Sequence, residues 1–174
     1  SKVLVHRMGV RSDRLTWRAR RLADGEPLRL VSVARLVEKK GLADAIAAVG
    51  LLRDRGVGVR YTIVGDGPLR SDLESLVARL GLGGLVHFEG WCDHERVLAL
   101  LDESHLLLAP SVVADDGDEE GIPVALMESM AMGLPVVTTR HSGIPELVTD
   151  PDHGRLVDER DPAALAAAVQ DLLA

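Results

Sequence analysis

Apolar and polar positions alternate along the chain between two kinds of segment. Short, β-branched apolar runs occur at LRLVSVA (Leu28 to Ala34), VRYTIV (Val59 to Val64), LVHF (Leu85 to Phe88), HLLLAP (His105 to Pro110), PVVT (Pro135 to Thr138) and RLV (Arg155 to Val157). Most are continuous rather than alternating, the pattern of strands covered on both faces, and they begin roughly 20 to 30 residues apart, the length of one strand–helix unit. Another strand-like run, KVLVH (Lys2 to His6), opens the chain. Between the runs lie apolar positions at helical spacing: Leu42, Ile46, Val49 and Leu52; Leu69, Leu73, Leu76 and Leu80; Val97, Leu100 and Leu101; Leu165, Val169, Leu172 and Leu173. Gly56, Gly81 and Gly133 follow helical runs as stop signals, and Asp161-Pro162 supplies a helix N-cap with proline at the first helical position. The expected fold is α/β, a Rossmann-like doubly wound parallel sheet of about six strands, with ligands outside the carboxyl ends of the strands.

A length of 174 residues suits one domain spanning residues 1–174, and 47% hydrophobic with 27% charged residues is an ordinary globular balance. The formal net charge of −7 argues against a broad basic face for nucleic acid. Stacking surfaces for bases are scarce as well, because Trp17, Tyr61, Phe88 and Trp91 are the only aromatic residues. Any anionic ligand must therefore be held locally. A single cysteine, Cys92, excludes a disulfide framework and a cysteine-based zinc site, as expected of the cytoplasm. No stretch approaches the ~18 uninterrupted apolar residues of a membrane span. The start at Ser1, without Met and straight into KVLVH, reads as a cut inside a longer protein.

The loops after the strands carry the chemistry. GDGPLR (Gly65 to Arg70) begins like a dinucleotide fingerprint but has Arg70 where the third glycine belongs, and no Gly-x4-Gly-Lys-Ser/Thr run exists. It reads first as a turn with Pro68 starting the next helix, bordering a site. In VARLVEKKGL (Val33 to Leu42), Arg35 and Lys40 fall at the carboxyl edge of the sheet. A planar guanidinium and an ammonium there suit two phosphates, the alternative being a solvated charge cluster that includes Lys39. In EGIPVALMESMAMGLPVV (Glu120 to Val137), seven residues separate Glu120 in the loop from Glu128 in the helix. Gly121 allows backbone approach and Pro123 fits the first helical turn. The amides of Gly121 to Val124 then form a helix N-terminus, an anion site beside carboxylates that can accept sugar hydroxyls.

Taken in order, HRMGV, VARLVEKKGL, IVGDGPLR, FEGW, PS, EGIPVALMESMAMGLPVV, HSGIPELV and GRLV resemble the C-terminal half of family 4 glycosyltransferases, and HRMGV with HSGIPE resembles their colanic-acid and exopolysaccharide branch. The resemblance implies one half of a GT-B enzyme that takes a nucleotide-sugar donor, a UDP- or GDP-sugar, and transfers the sugar with retention to a polysaccharide or glycolipid acceptor. The N-terminal domain that carries the acceptor would lie outside the chain, so the isolated domain would be inactive, and the full-length protein would be cytoplasmic or peripheral at the inner membrane face. Arg35 and Lys40 are implied to hold the donor diphosphate. Glu128, second of the Glu-x7-Glu pair, would accept the ribose hydroxyls, and Glu120, the first, would contact the donor sugar. Gly121, Ile122 and Pro123 would present backbone to sugar and phosphate, and Phe88 to Trp91 would line the base. Catalysis would rest on Glu120, Arg35 and Lys40. Pro110 and Ser111 lie at a neighbouring strand end, where turn chemistry competes with ligand contact.

Arg11 stands where the family often has Asp, and Ser129 where it usually has Ala. Asp116-Gly-Asp118 imitates the metal motif of a different glycosyltransferase architecture. With Arg35, Lys40 and a helix N-terminus already implied as counter-charges to the diphosphate, the expectation is a solvated acidic loop, no metal and no cofactor. The histidines show no metal-ligand spacing, and only His141, on a strand-end loop, is placed where it could face the cleft. The rival readings are a non-catalytic nucleotide-binding or interaction module on the same sheet and a related sugar epimerase.

Overall fold

The computed structural model describes residues 9–173. The run Lys2 to His6 lies outside the described residues. All six expected strands form: β1 (Leu28–Val33), β2 (Val59–Val64), β3 (Val86–Gly90), β4 (Leu106–Ala109), β5 (Val136–Thr139) and β6 (Gly154–Val157). They make one parallel sheet in the order β3-β2-β1-β4-β5-β6. Strand order reverses between β1 and β4, so the loops leaving neighbouring strands part there and open a crevice at the carboxyl edge.

Side chains alternate along each strand and feed two separate cores. Leu30, Tyr61, Ile63, Leu106 and Leu108 point to one face, where α1 (Leu42–Asp54), α2 (Arg70–Arg79) and α6 (Pro162–Asp171) cover them. Val31, Val64, Leu107 and Val136 point to the other, under α3 (His94–Glu103), α4 (Val124–Ala131) and α5 (Ile144–Leu147). Burial on both faces is why these strands are continuous apolar runs. Tyr61 is wholly buried, and its hydroxyl meets Ser32 Oγ at 2.7 Å. Burial pushes the phenol pKa up against the opposing effect of that bond, so Tyr61 stays neutral.

The helix signals hold at most ends. Asp161 Oδ1 accepts the Ala164 amide at 2.8 Å with Pro162 at the first helical position, and Gly56, Gly81 and Gly133 each follow a helix in the left-handed region. Two starts differ from expectation. Helix α2 begins at Arg70, leaving Pro68 in the preceding turn, and α4 begins at Val124 with Pro123 as its N-cap. Pro123 has ψ 133°, extended rather than helical, which aims its carbonyl into the first turn. The stripes also overreach at their ends. Leu80 and Leu173 are exposed, and Val77 takes the core position that a strict leucine count gives to Leu76 or Leu80. Helix α5, one turn long, is too short to show a period.

Candidate functional site

The β1–α1 loop is locked by the backbone around it. Gly41 has φ 59°, and a Cβ there would lie 1.8 Å from the Pro110 carbonyl oxygen. The Val112 amide also donates to the Lys39 carbonyl at 3.0 Å, so Lys40 is clamped against the loop leaving β4. On the other side, Gly65 (φ 127°) packs against Ala34, where a Cβ would come within 2.0 Å of the carbonyl oxygen. The Leu36 amide donates to Asp66 and the Leu69 amide to Leu36, both at 3.0 Å. GDGP is thus a turn that braces the Arg35 loop, and Gly65 and Asp66 border the cleft.

That cleft, about 810 Å³, opens at the carboxyl ends of β1 and β2 between the starts of α3 and α4. Arg35, Lys40, Glu120 and Glu128 all line it, together with Ile122, Pro123 and Trp91. Residues up to 93 positions apart in sequence therefore share one wall. Arg35 is exposed and makes no ion pair with any described residue. Lys40 pairs with the Glu120 carboxylate, both side chains being largely buried. Glu128 is 8% exposed, and its Oε1 lies 2.8 Å from His94 Nε2. Trp91 is 78% exposed, so its indole is uncovered on the cleft side. No side chain caps α4, whose first residues, Val124 and Ala125, line the cleft and leave its leading amides aimed there.

Three placements depart from expectation. Phe88 does not line the cleft. It packs against the α1/α2 core with the Arg70 guanidinium 5.6 Å from its ring centre, because alternation along β3 turns it to the covered face. Gly121 is exposed beside the cleft rather than in its wall, with open space where a Cβ would stand. His141 is 1% exposed and faces the protein interior instead of the cleft. The histidine that does face it is His94, first residue of α3 and just after the N-cap Asp93, whose Oδ1 accepts the Arg96 amide at 2.8 Å. Asp93-His94-Glu95-Arg96 carries a capping signal in sequence, but nothing local points to Glu128.

The acidic loop is exposed from Asp115 to Glu119, as expected, and carries ion pairs at its surface. Asp118 meets Lys39 at 2.9 Å, Asp115 meets Arg160 at 3.1 Å and Glu120 meets Lys40. Among the described residues no group of three or more His, Cys, Asp and Glu side chains is arranged to hold a metal ion. Ser111 is buried, its carbonyl accepting Thr139 Oγ1 at 2.5 Å, and Pro110 supplies the carbonyl against Gly41, so both serve the turn. Arg11 is exposed and pairs with Asp13 at 2.8 Å, outside the cleft wall.

Ser129 is fully buried and its hydroxyl has no partner. A buried, unsatisfied hydroxyl is a net cost, so Ser129→Ala is expected to stabilise the fold by about 1 kcal/mol in urea titration while leaving ligand affinity unchanged. A loss of stability would mean that the hydroxyl is satisfied in solution.

The family model described as glycosyl transferases group 1 matches residues 13–174. The chain belongs to that family. Two curated members of this glycosyltransferase family resemble it over nearly its whole length. One is WcaL of Salmonella typhimurium, provisionally named a colanic acid biosynthesis glycosyltransferase, 48% identical over 170 residues that make up 98% of this chain and 42% of WcaL. The other is the amylovoran biosynthesis glycosyltransferase AmsK of Erwinia amylovora, 47% identical over 166 residues, 95% of this chain and 40% of AmsK. The chain thus spans about two fifths of the length of these relatives. Among solved GT-B structures, Anabaena HepE in complex with UDP superposes with a TM-score of 0.73 at 25% identity, over 83% of this chain and 38% of HepE. No described helix is long and apolar enough to cross a membrane.

Proposed function

We propose that the chain is the donor-binding half of a glycosyltransferase that takes a sugar from a nucleotide donor and passes it, with retention, to a polysaccharide or glycolipid acceptor held by an N-terminal half. The observation that carries this reading is the meeting of Arg35, Lys40, the uncapped start of α4 and two carboxylates eight positions apart in one cleft. An acidic protein that offers two cationic side chains and a helix N-terminus in one place is built for a compact anion, and the carboxylates beside them suit hydroxyl-rich parts of the same ligand. The family membership and the UDP bound to HepE support the same ligand class.

In this reading Arg35 and the α4 amides face the diphosphate, and Lys40 turns from Glu120 toward it as the sugar's hydroxyls replace the ammonium on that carboxylate. Charge that develops on the leaving diphosphate is then met by groups already in place, the kind of stabilisation that dominates many enzymatic rate enhancements. Glu128 accepts the ribose hydroxyls through the oxygen that His94 leaves open, and the uncovered indole of Trp91 offers a face for the base. No metal or other cofactor has a role.

Calorimetry with UDP, GDP, UDP-glucose, GDP-mannose and the free nucleosides tests the reading. One diphosphate is expected to bind and its nucleoside far more weakly. Arg35→Ala or Lys40→Ala should weaken the diphosphate by about 1.5 to 3 kcal/mol each and the nucleoside hardly at all. Equal losses for both ligands would remove these residues from the phosphate site, and no binding by any diphosphate would overturn the donor reading itself. Sugar transfer belongs to the full-length protein; transfer by residues 1–174 alone would overturn the two-half arrangement.

A further inference from the structure

We propose that His141 is a positioning residue for Glu120, acting as a neutral imidazole with its proton on Nδ1 and held in that form by Glu159. The inference deepens the donor reading, because Glu120 is the carboxylate assigned there to the sugar.

Glu120 sits at the end of a long irregular segment between β4 and α4, where neighbouring secondary structure does little to fix it. What fixes it is a chain of contacts from two distant turns. The Glu120 amide donates to His141 Nε2 at 3.0 Å, and His141 Nδ1 lies 2.6 Å from Glu159 Oε1. The other Glu159 oxygen accepts the Val113 amide at 2.9 Å, so one carboxylate ties the start of the segment while, through the imidazole, it ties the end. Only one state of the ring satisfies both contacts. Nε2 must offer a lone pair to the amide, and Nδ1 must carry the proton given to Glu159.

The backbone supports an arrangement imposed from outside the two turns. Ser142 and Arg160 are the non-glycine residues with positive φ among the described residues, at 46° and 56°, and they directly follow His141 and Glu159. Such conformations persist in residues with a Cβ where surrounding contacts over-determine them. The Ile122 side chain also fits against Gly143, where a Cβ would approach its Cγ1 to 3.2 Å.

The charges facing His141 are few and mostly committed. Glu120 has Lys40, and Arg160 beside Glu159 has Glu38 and Asp115. Burial works to raise the Glu159 pKa, but hydrogen bonds from Val113 and His141 outweigh it and hold the carboxyl below its ordinary range. Glu159 therefore remains an ionised acceptor for the Nδ1 proton of His141. A second proton on His141 would set an N–H against the Glu120 N–H and leave that amide without its acceptor. The contact to the donor sugar should then fail with that second proton in place, while the exposed Arg35 still meets the diphosphate.

Nitrogen-15 NMR of the chain, with and without ligand, tests this. The His141 ring is expected to show the Nδ1–H tautomer, the less common one in free imidazole side chains. The Glu120 amide should exchange slowly with solvent while the imidazole is neutral and quickly once the ring carries a second proton. Glu159→Gln keeps the size but offers one acceptor oxygen for two donors, and should speed that exchange at neutral pH. His141→Phe fills the same space without an acceptor. It should weaken whichever of UDP-glucose or GDP-mannose binds by about tenfold, with less than about a twofold change for the matching diphosphate. An Nε2–H tautomer, or Glu120 exchange indifferent to pH and to Glu159→Gln, would overturn the proposal. Equal weakening of nucleotide sugar and diphosphate would overturn it as well. A wild-type chain that binds neither diphosphate would sink the donor reading instead, and the ligand-free exchange data would still decide the role of His141.

Discussion

Gly41→Ala is expected to lower stability by about 2 to 5 kcal/mol. Two penalties act together there. The φ of 59° is a left-handed conformation, which costs a residue with a Cβ about 1 to 2 kcal/mol. The new methyl would also meet the Pro110 carbonyl oxygen 1.8 Å away, and relieving that contact means separating the β1–α1 loop from the segment after β4, an overpacking cost of about 1 to 3 kcal/mol. For a chain of this size the melting temperature should fall by roughly 10 °C. Gly56→Ala provides the control, since Gly56 has φ 78° but nothing within 4 Å of a built Cβ. It should cost only the conformational part, about 1 kcal/mol. Urea midpoints of the two variants decide between them, and similar losses would mean that the Pro110 contact relaxes freely. Because Lys40 precedes Gly41 and the Val112 amide holds Lys39, any variant that does fold should also bind diphosphate less well.

The architecture was legible because each strand is buried on both faces, so its signal is a local run of apolar residues that needs no knowledge of neighbours. Helix ends were legible for the same reason, since the Asp161 cap and the glycine stops act within one turn. The cleft was legible only as far as it follows from strand ends: Arg35, Lys40, Glu120 and Glu128 are each near the carboxyl edge, and the fold brings them together. What could not be read is pairing across the crevice. His94 reaches Glu128 from 34 positions away, and His141 joins Glu120 to Glu159 across 21 and 18 positions. A lone histidine on a loop carries no mark of which way it turns, so the sequence does not tell that His94 lines the cleft while His141 is buried. Phe88 failed differently. Nearness to a strand end suggested the base, whereas the alternation of β3 sends its ring to the Arg70 side.

Glu128→Gln and Glu120→Gln are expected to separate the two carboxylates by ligand. Glu128 is nearly buried and already takes one hydrogen bond from His94, so the substitution keeps the shape and removes a charged acceptor from a site with little water to compensate. If Glu128 holds the ribose, every ligand with that ribose suffers, and free diphosphate and nucleotide sugar should both weaken by about 1 to 3 kcal/mol. Glu120 is different because its partner is Lys40. Glu120→Gln removes the charge that holds the ammonium, leaving Lys40 free to turn to phosphate. The diphosphate should therefore bind as well as before or more tightly, while the nucleotide sugar loses its advantage over the diphosphate. In the full-length protein the same variant should lower turnover, since contacts to the reacting sugar are felt in the transition state. Calorimetry on both variants with both ligands settles the assignment. Equal losses for Glu120→Gln with and without the sugar would show that Glu120 serves the phosphate side through Lys40 and does not touch the sugar.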